Sequence, residues 1–181
     1  MHRLATLILI AGSLFLAWTT PAIAQERSPS LAQIVALDEC DPTTFNAALG
    51  ANYCLNVSPF GSAVSVSDLL ASVAAGTPNP NWDFEPDSLT IGRETILEAT
   101  NQGGEPHTFT EVAKFGGGFV PAANPPGETE VPECTGGFSN VKVAATRILP
   151  GSHLDITGLS KGTHLFQCCI HPWMHFQVNV K

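Results

Sequence analysis

Basic side chains are scarce in this sequence: eight Lys and Arg face 16 Asp and Glu among 181 residues, a formal charge of −8. That imbalance excludes nucleic acid as a natural partner, because an acidic surface repels phosphate, and it favours a cationic partner instead. Past the first 18 residues no stretch approaches the roughly 20 apolar residues needed to cross a bilayer. No run of like charges marks an acidic tail. None of the six His stands in a His-x-His pair, so the spacing gives no support to an accessory metal site, and His153 and His175 are expected at the surface.

The apolar run that does exist is N-terminal. Arg3, the stretch from Leu4 to Trp18, and Ala22-Ile23-Ala24 before Gln25 have the layout of a secretory signal peptide, residues 1–24, cleaved after Ala24. Cleavage leaves seven basic against 16 acidic side chains. No Cys follows the cleavage point, so a lipid anchor is not indicated. The expected product is an exported, monomeric protein of the periplasm or the cell exterior, with no membrane span.

Near the other end, Thr163-His164-Leu165-Phe166-Gln167-Cys168-Cys169-Ile170-His171-Pro172-Trp173-Met174 places a thiol, an imidazole and a thioether at Cys-x-x-His-x-x-Met spacing. One tight loop can fold these around a single ion. Thiolate and thioether are soft ligands, and with imidazole they select copper over oxygen-seeking cations. Zinc accepts Cys and His but rarely recruits Met. A blue-copper centre needs a second imidazole, and His107, delivered by the turn Gly103-Gly104-Glu105-Pro106 at the start of a strand, is the candidate.

Gly162-Thr163-x-x-Phe166-x-Cys168 leading into His171-Pro172-x-Met174, with Pro106-His107 and Pro150-Gly151 upstream, resembles the cupredoxin family, most of all its amicyanin and plastocyanin-like members. The likeness spans residues 82–181. It implies an all-β Greek-key antiparallel sandwich, His107, Cys168 and His171 as equatorial ligands of one type 1 copper, and Met174 as the weak axial ligand. It further implies one-electron transfer, with His171 on an exposed loop as the electron exit. The partner would be a redox protein with a cationic docking face, such as a c-type cytochrome, a dehydrogenase or a reductase. Copper oxidases and reductases that resemble this family carry extra imidazoles or a second domain, and neither is found, so an enzyme acting alone is not expected. The alternative is a copper protein that stores or delivers the ion.

Cysteine parity agrees with a metal thiolate. Five Cys are present, and if Cys168 meets the metal the other four can pair as Cys40–Cys54 and Cys134–Cys169. The Cys40–Cys54 loop, once closed, would stabilise the fold by about 3 kcal/mol on the chain-entropy model. Side chains alternate along a strand, so Cys168 and Cys169 should face opposite ways. Their adjacency departs from the family pattern, and by position alone either thiol could serve.

Residues 25–81 read as a helical extension without chemistry: one helix after Ser28-Pro29 with Leu31, Ile34 and Val35 on a face, one from Asp41-Pro42 to Gly50, and one capped by Ser67 and ended at Gly76. From residue 82 the period becomes two, at Leu89 and Ile91, Leu97 and Ala99, Leu154 and Ile156, then Phe176, Val178 and Val180. Met174 shares the inward parity of the last set. Residues 114–140 form a long loop in which Glu128, Glu130 and Glu133 offer an acidic docking patch. His164, in parity with Cys168, reads as an inward, hydrogen-bonded core residue.

Overall fold

The computed structural model describes residues 29–55 and 61–181. The expected signal peptide lies outside them. In chain order the elements are β1 (Leu31–Leu37), α1 (Pro42–Leu49), α2 (Val66–Ala74), β2 (Asp83–Glu85), β3 (Ser88–Ile91), β4 (Ile96–Asn101), β5 (His107–Thr108) and β6 (Thr110–Val112). They continue with α3 (Val141–Ala145), β7 (Arg147–Ile148), β8 (His153–Ile156), β9 (Gly162–Gln167) and β10 (His175–Val180). Two four-stranded sheets, β2-β1-β4-β8 and β3-β10-β9-β6, make a β-sandwich, and β5 pairs with β7 beside them. No helix among the described residues is long and apolar enough to cross a membrane.

The sandwich differs from the expected antiparallel one. Each sheet is mixed, because β1 runs parallel to β4 and β3 parallel to β10. The larger correction concerns Leu31–Leu37, which is a strand and not a helix. Its inward positions are Ile34, Ala36 and, one step past the strand, Asp38, all buried, a period of two. On the outward face the Gln33 side chain donates to Glu98 of β4 at 2.7 Å. A segment this short shows similar apolar spacing as helix or strand, and pairing with both β4 and β2 decides the matter.

The other two helices form as their caps dictate. Asp41 accepts from the backbone N–H of Thr43 and Thr44, Pro42 opens the first turn of α1, and Gly50, at φ 115°, ends it. For α2 the cap is Ser65, not Ser67: the Ser65 hydroxyl accepts from the Asp68 N–H at 3.1 Å, three residues on, as a capping box requires. Gly76 follows α2 at φ 73°, where a left-handed residue stops a helix cheaply.

Between the sheets, Phe109 stacks on Phe166 with centroids 4.5 Å apart and meets Phe84 edge-on at 5.2 Å. Phe176, Val178 and Val180 of β10 are buried in this core, as their alternation predicts. Val112, Val131, Cys134, Val143 and Cys169 build a smaller core beneath the long loop. Both expected disulfides are present, Cys40–Cys54 holding α1 and Cys134–Cys169 pinning the loop. Cys168 is the one free thiol among the described residues.

Candidate metal centre

β9 ends at Gln167, and the chain turns through Cys168 to Met174 before re-entering the sheet as β10. The turn is closed by its own backbone: the Cys168 N–H donates to the Met174 carbonyl at 3.1 Å, and the Met174 N–H to the His171 carbonyl at 3.0 Å. β5 brings His107 to the same point. The Cys168 sulfur lies 3.8 Å from His107 Nδ1 and 3.9 Å from His171 Nδ1, and the two Nδ1 atoms are 3.4 Å apart. Cys168 and His107 are fully buried and His171 is 4% exposed. Met174, also fully buried, belongs to the same core cluster as Cys168. Cys169 faces the second core and its disulfide, so the alternation of the adjacent pair holds.

Two backbone donors point at the thiol sulfur, the N–H of Thr108 at 3.4 Å and that of His171 at 3.5 Å. The Thr108 hydroxyl in turn accepts from the Cys169 N–H at 2.7 Å, locking β5 to the turn. Burial by itself would raise the Cys168 pKa, but hydrogen bonds and positive charge from His107 and His171 outweigh it and hold the thiol well below its ordinary value.

Behind each imidazole stands a buried carboxylate. Asp38 Oδ2 accepts from His107 Nε2 at 2.9 Å, which leaves Nδ1 as the nitrogen facing Cys168. The same carboxylate accepts from the backbone N–H of Glu105 at 2.9 Å, of Gly104 at 2.9 Å and of Cys40 at 3.2 Å. Burial works against its charge, yet the His107 bond and these amides prevail and bring Asp38 down to about 2. Burial likewise opposes the charged form of His107, and the bonds to Asp38 and Cys168 overcome it, raising His107 to about 10. Glu105 lies on the His171 side. Its Oε1 accepts from Trp82 Nε1 at 3.0 Å, while Oε2 is 3.6 Å from His171 Nε2. Burial dominates here and lifts Glu105 to about 7, despite the opposing charge of His171.

The turn that carries His107 has no room for side chains. A Cβ on Gly103 would sit 1.9 Å from Asp38 Oδ2, and one on Gly104 would sit 2.4 Å from the Leu55 carbonyl oxygen. Asn101 braces the turn: its Nδ2 donates to the carbonyls of Glu105 at 2.6 Å and Ile148 at 3.0 Å, and its Oδ1 accepts from the Gly103 N–H at 2.8 Å.

Several sequence expectations change. His171 is not on an exposed loop, because α1, α2 and the turn at Pro121–Ala123 cover it. Residues 25–81 are not without chemistry, since Asp38 lies among them. Trp173 packs its ring 5.5 Å from that of His171 and donates through Nε1 to the Trp82 carbonyl at 3.1 Å. His175 is half-buried and stacked on Phe115 at 3.9 Å rather than at the surface, whereas His153 is exposed as expected. His164 is hydrogen-bonded, to Glu111 at 2.6 Å and the Ser160 carbonyl at 2.8 Å, but lies at the edge of the fold and not in its core. Glu133 turns its carboxylate to the Ala113 N–H at 3.0 Å, which occupies part of the supposed acidic patch.

Asp38 and Glu105 escaped the sequence reading. Glu105 had a signal in standing two residues before His107; Asp38, 69 residues away from it, had none. The donor set fits copper. A buried thiolate and two imidazole nitrogens already oriented toward one point make a soft, mixed site with no carboxylate oxygen in it.

No family model matches the chain, and no curated protein does. Among solved structures it is similar to a purple cupredoxin from Nitrosopumilus maritimus, at 15% identity over 83% of this chain and 99% of that one, TM-score 0.41. It is also similar to a reduced amicyanin mutant, at 17% identity over 55% of this chain and 73% of that one, TM-score 0.35. A mutant fern plastocyanin matches at 23% identity over 56% of this chain and 90% of that one, TM-score 0.36.

Proposed function

We propose that this chain is an exported mononuclear copper protein that carries single electrons between redox proteins, with a type 1 centre held by His107, Cys168, His171 and Met174. The observation that carries the reading is the triangle of buried donor atoms, 3.4 to 3.9 Å on a side. Copper bound there would supply one-electron chemistry. The chain's own part is to keep the donors still: Asp38 fixes the His107 ring, the backbone bonds between Cys168, His171 and Met174 hold the turn, and the N–H groups of Thr108 and His171 stabilise charge on the sulfur. A donor frame that does not rearrange with charge, in a site closed to water, is what repeated electron transfer needs. Storage or delivery is less well served, because handing an ion on requires donors that a competitor can reach, and these are sealed.

With His171 covered, the half-buried Trp173 is an aromatic link from the centre towards the surface. The charge of −8 favours a redox partner with a cationic face. The test is the visible spectrum with one equivalent of Cu(II), before and after ascorbate, beside Cys168→Ser. A strong band that bleaches reversibly and is absent from the variant supports the reading; weak or irreversible colour overturns it. Met174→Leu should retain the colour and raise the reduction potential, and an unchanged potential removes Met174 from the ligand set.

A further inference from the structure

The carboxylate of Asp38 is more than a ring brace requires. One acceptor is enough to fix an imidazole, and a backbone carbonyl would serve. The group behind His107 is instead an acid side chain with no exposure to solvent. Each of its oxygens takes two N–H donors: Oδ1 those of Gly104 at 2.9 Å and Cys40 at 3.2 Å, Oδ2 those of Glu105 and of His107 Nε2, both at 2.9 Å. These donors meet all the lone-pair positions of an ionised carboxylate, so a proton on either oxygen would displace one of them. The geometry holds the anion.

That anion has no Lys or Arg within ion-pair distance among the described residues, and its one ionisable partner is the His107 ring. A buried charge left without a counter-charge is costly. The ring carries the demand to its far side, where Nδ1 faces the Cys168 sulfur at 3.8 Å and His171 Nδ1 at 3.4 Å.

We propose that Asp38 is a positioning residue that sets the redox balance of the centre, its fixed negative charge behind His107 favouring the divalent over the monovalent state of a bound copper ion. The inference rests on the copper reading above and adds which oxidation state the fold is built to hold. With the Cys168 thiolate and Asp38 both ionised, the protein groups contribute two negative charges. A divalent ion brings that total to zero, and one electron delivered by a redox partner takes it to minus one. Burial leaves this excess charge poorly screened, so Asp38 opposes reduction. A carboxylate bonded to Nε2–H also makes the ring a more basic ligand, which acts in the same direction. Glu105, buried on the His171 side, is a second carboxyl, and any charge it holds adds to the effect.

The experiment compares the reduction potentials of the copper-loaded protein and of Asp38→Asn. With its amide oxygen in the place of Oδ2, Asn keeps an acceptor for His107 and removes the charge. The variant should retain the visible band while the equilibrium for reduction shifts at least tenfold towards Cu(I), a rise of at least about 59 mV for a one-electron couple. Asp38→Ser, a shorter neutral acceptor that leaves space for water at the freed N–H groups, carries the same expectation should the Asn variant not fold. In the copper-free protein, NMR should show a His107 Nε2 proton protected from exchange with solvent. An unchanged or lowered potential in the neutral variants overturns the proposal and leaves Asp38 a brace. So does the lack of a protected Nε2 proton, which would mean that the carboxylate does not hold the ring. These failures differ from that of the copper reading: a wild-type band with an unshifted variant sinks this proposal alone, whereas a wild type without the band sinks both.

Discussion

Two regions build this centre in opposite ways. Residues 168–174 supply a thiolate, an imidazole and a buried thioether from seven consecutive positions, closed by their own backbone bonds. The region from β1 through α2 supplies no donor atom, yet it provides the carboxylate behind His107 and most of the cover over His171. The first region decides which atoms a metal would meet. The second decides which nitrogen of His107 is free and how water is kept out. Ligand identity is a local property of the chain, and ligand environment is not.

The sharpest way to break the comparison is Asp38→Ala. It strands three backbone N–H donors and the buried His107 ring, so the copper-free protein should lose about 3 to 5 kcal/mol in urea unfolding, the range for removing one partner of a buried pair. A loss below about 1 kcal/mol would mean that β1 is an appendage to the centre and not part of it. The pH dependence follows from the depressed Asp38 value, about 2 against an ordinary 3.8. Its contribution is fully present above the ordinary value and disappears as pH falls through about 2; Asp38→Ala should therefore flatten the acid limb of the stability profile.

Leu69→Ala tests the cover. Leu69, on the buried face of α2, is 3% exposed, and its truncation should cost about 2 to 4 kcal/mol in thermal or urea unfolding. In the copper-free protein His171 should then react faster with an imidazole-modifying reagent such as diethyl pyrocarbonate. Lost stability with unchanged reactivity would show that the other elements suffice to seal the ring.

The smallest effect is expected at Asp83 in β2, which pairs with β1. Burial first, and then the charges of Asp87 and Glu85, raise Asp83 to about 6, so the folded chain binds this proton more tightly than the unfolded one. The resulting stabilisation is present at and below the ordinary value of 3.8 and is lost as pH rises through about 6. Asp83→Asn should thus raise stability at pH 8 by about 1 kcal/mol, a figure discounted for the half-exposed side chain, with the gain vanishing by about pH 4. Equal gains at both pH values would assign the effect to packing.

How far the sequence could be read differs between these regions for a physical reason. Phe176, Val178 and Val180 fixed the register of β10 and the inward parity of Met174 because an edge of strict alternation admits one reading. Cysteine parity left four thiols for two disulfides once one was reserved for a metal, and of the three ways to pair them the short Cys40–Cys54 loop and the strand alternation at Cys168–Cys169 picked the one observed. Leu31 to Leu37 failed because seven residues with apolar positions at 31, 34 and 35 suit either period, and the deciding partner, β4, lies 65 residues along the chain. His171 failed because exposure depends on what else packs over a loop, and the covering helices carry no mark of what they cover.

By itself the sequence determined the candidate donors: their softness, their spacing on one turn, the second imidazole at the head of a strand, and one odd thiol of the adjacent pair. These follow from the chemistry of side chains and from distances of a few residues. Only the tertiary structure decided that Asp38 and Glu105 stand behind the two imidazoles, and that His171 is sealed beneath α1 and α2. Such contacts join residues far apart along the chain, 69 positions for Asp38 and His107, and burial, which turns a neighbouring carboxylate from a solvated charge into a fixed partner, is a property of the assembled fold.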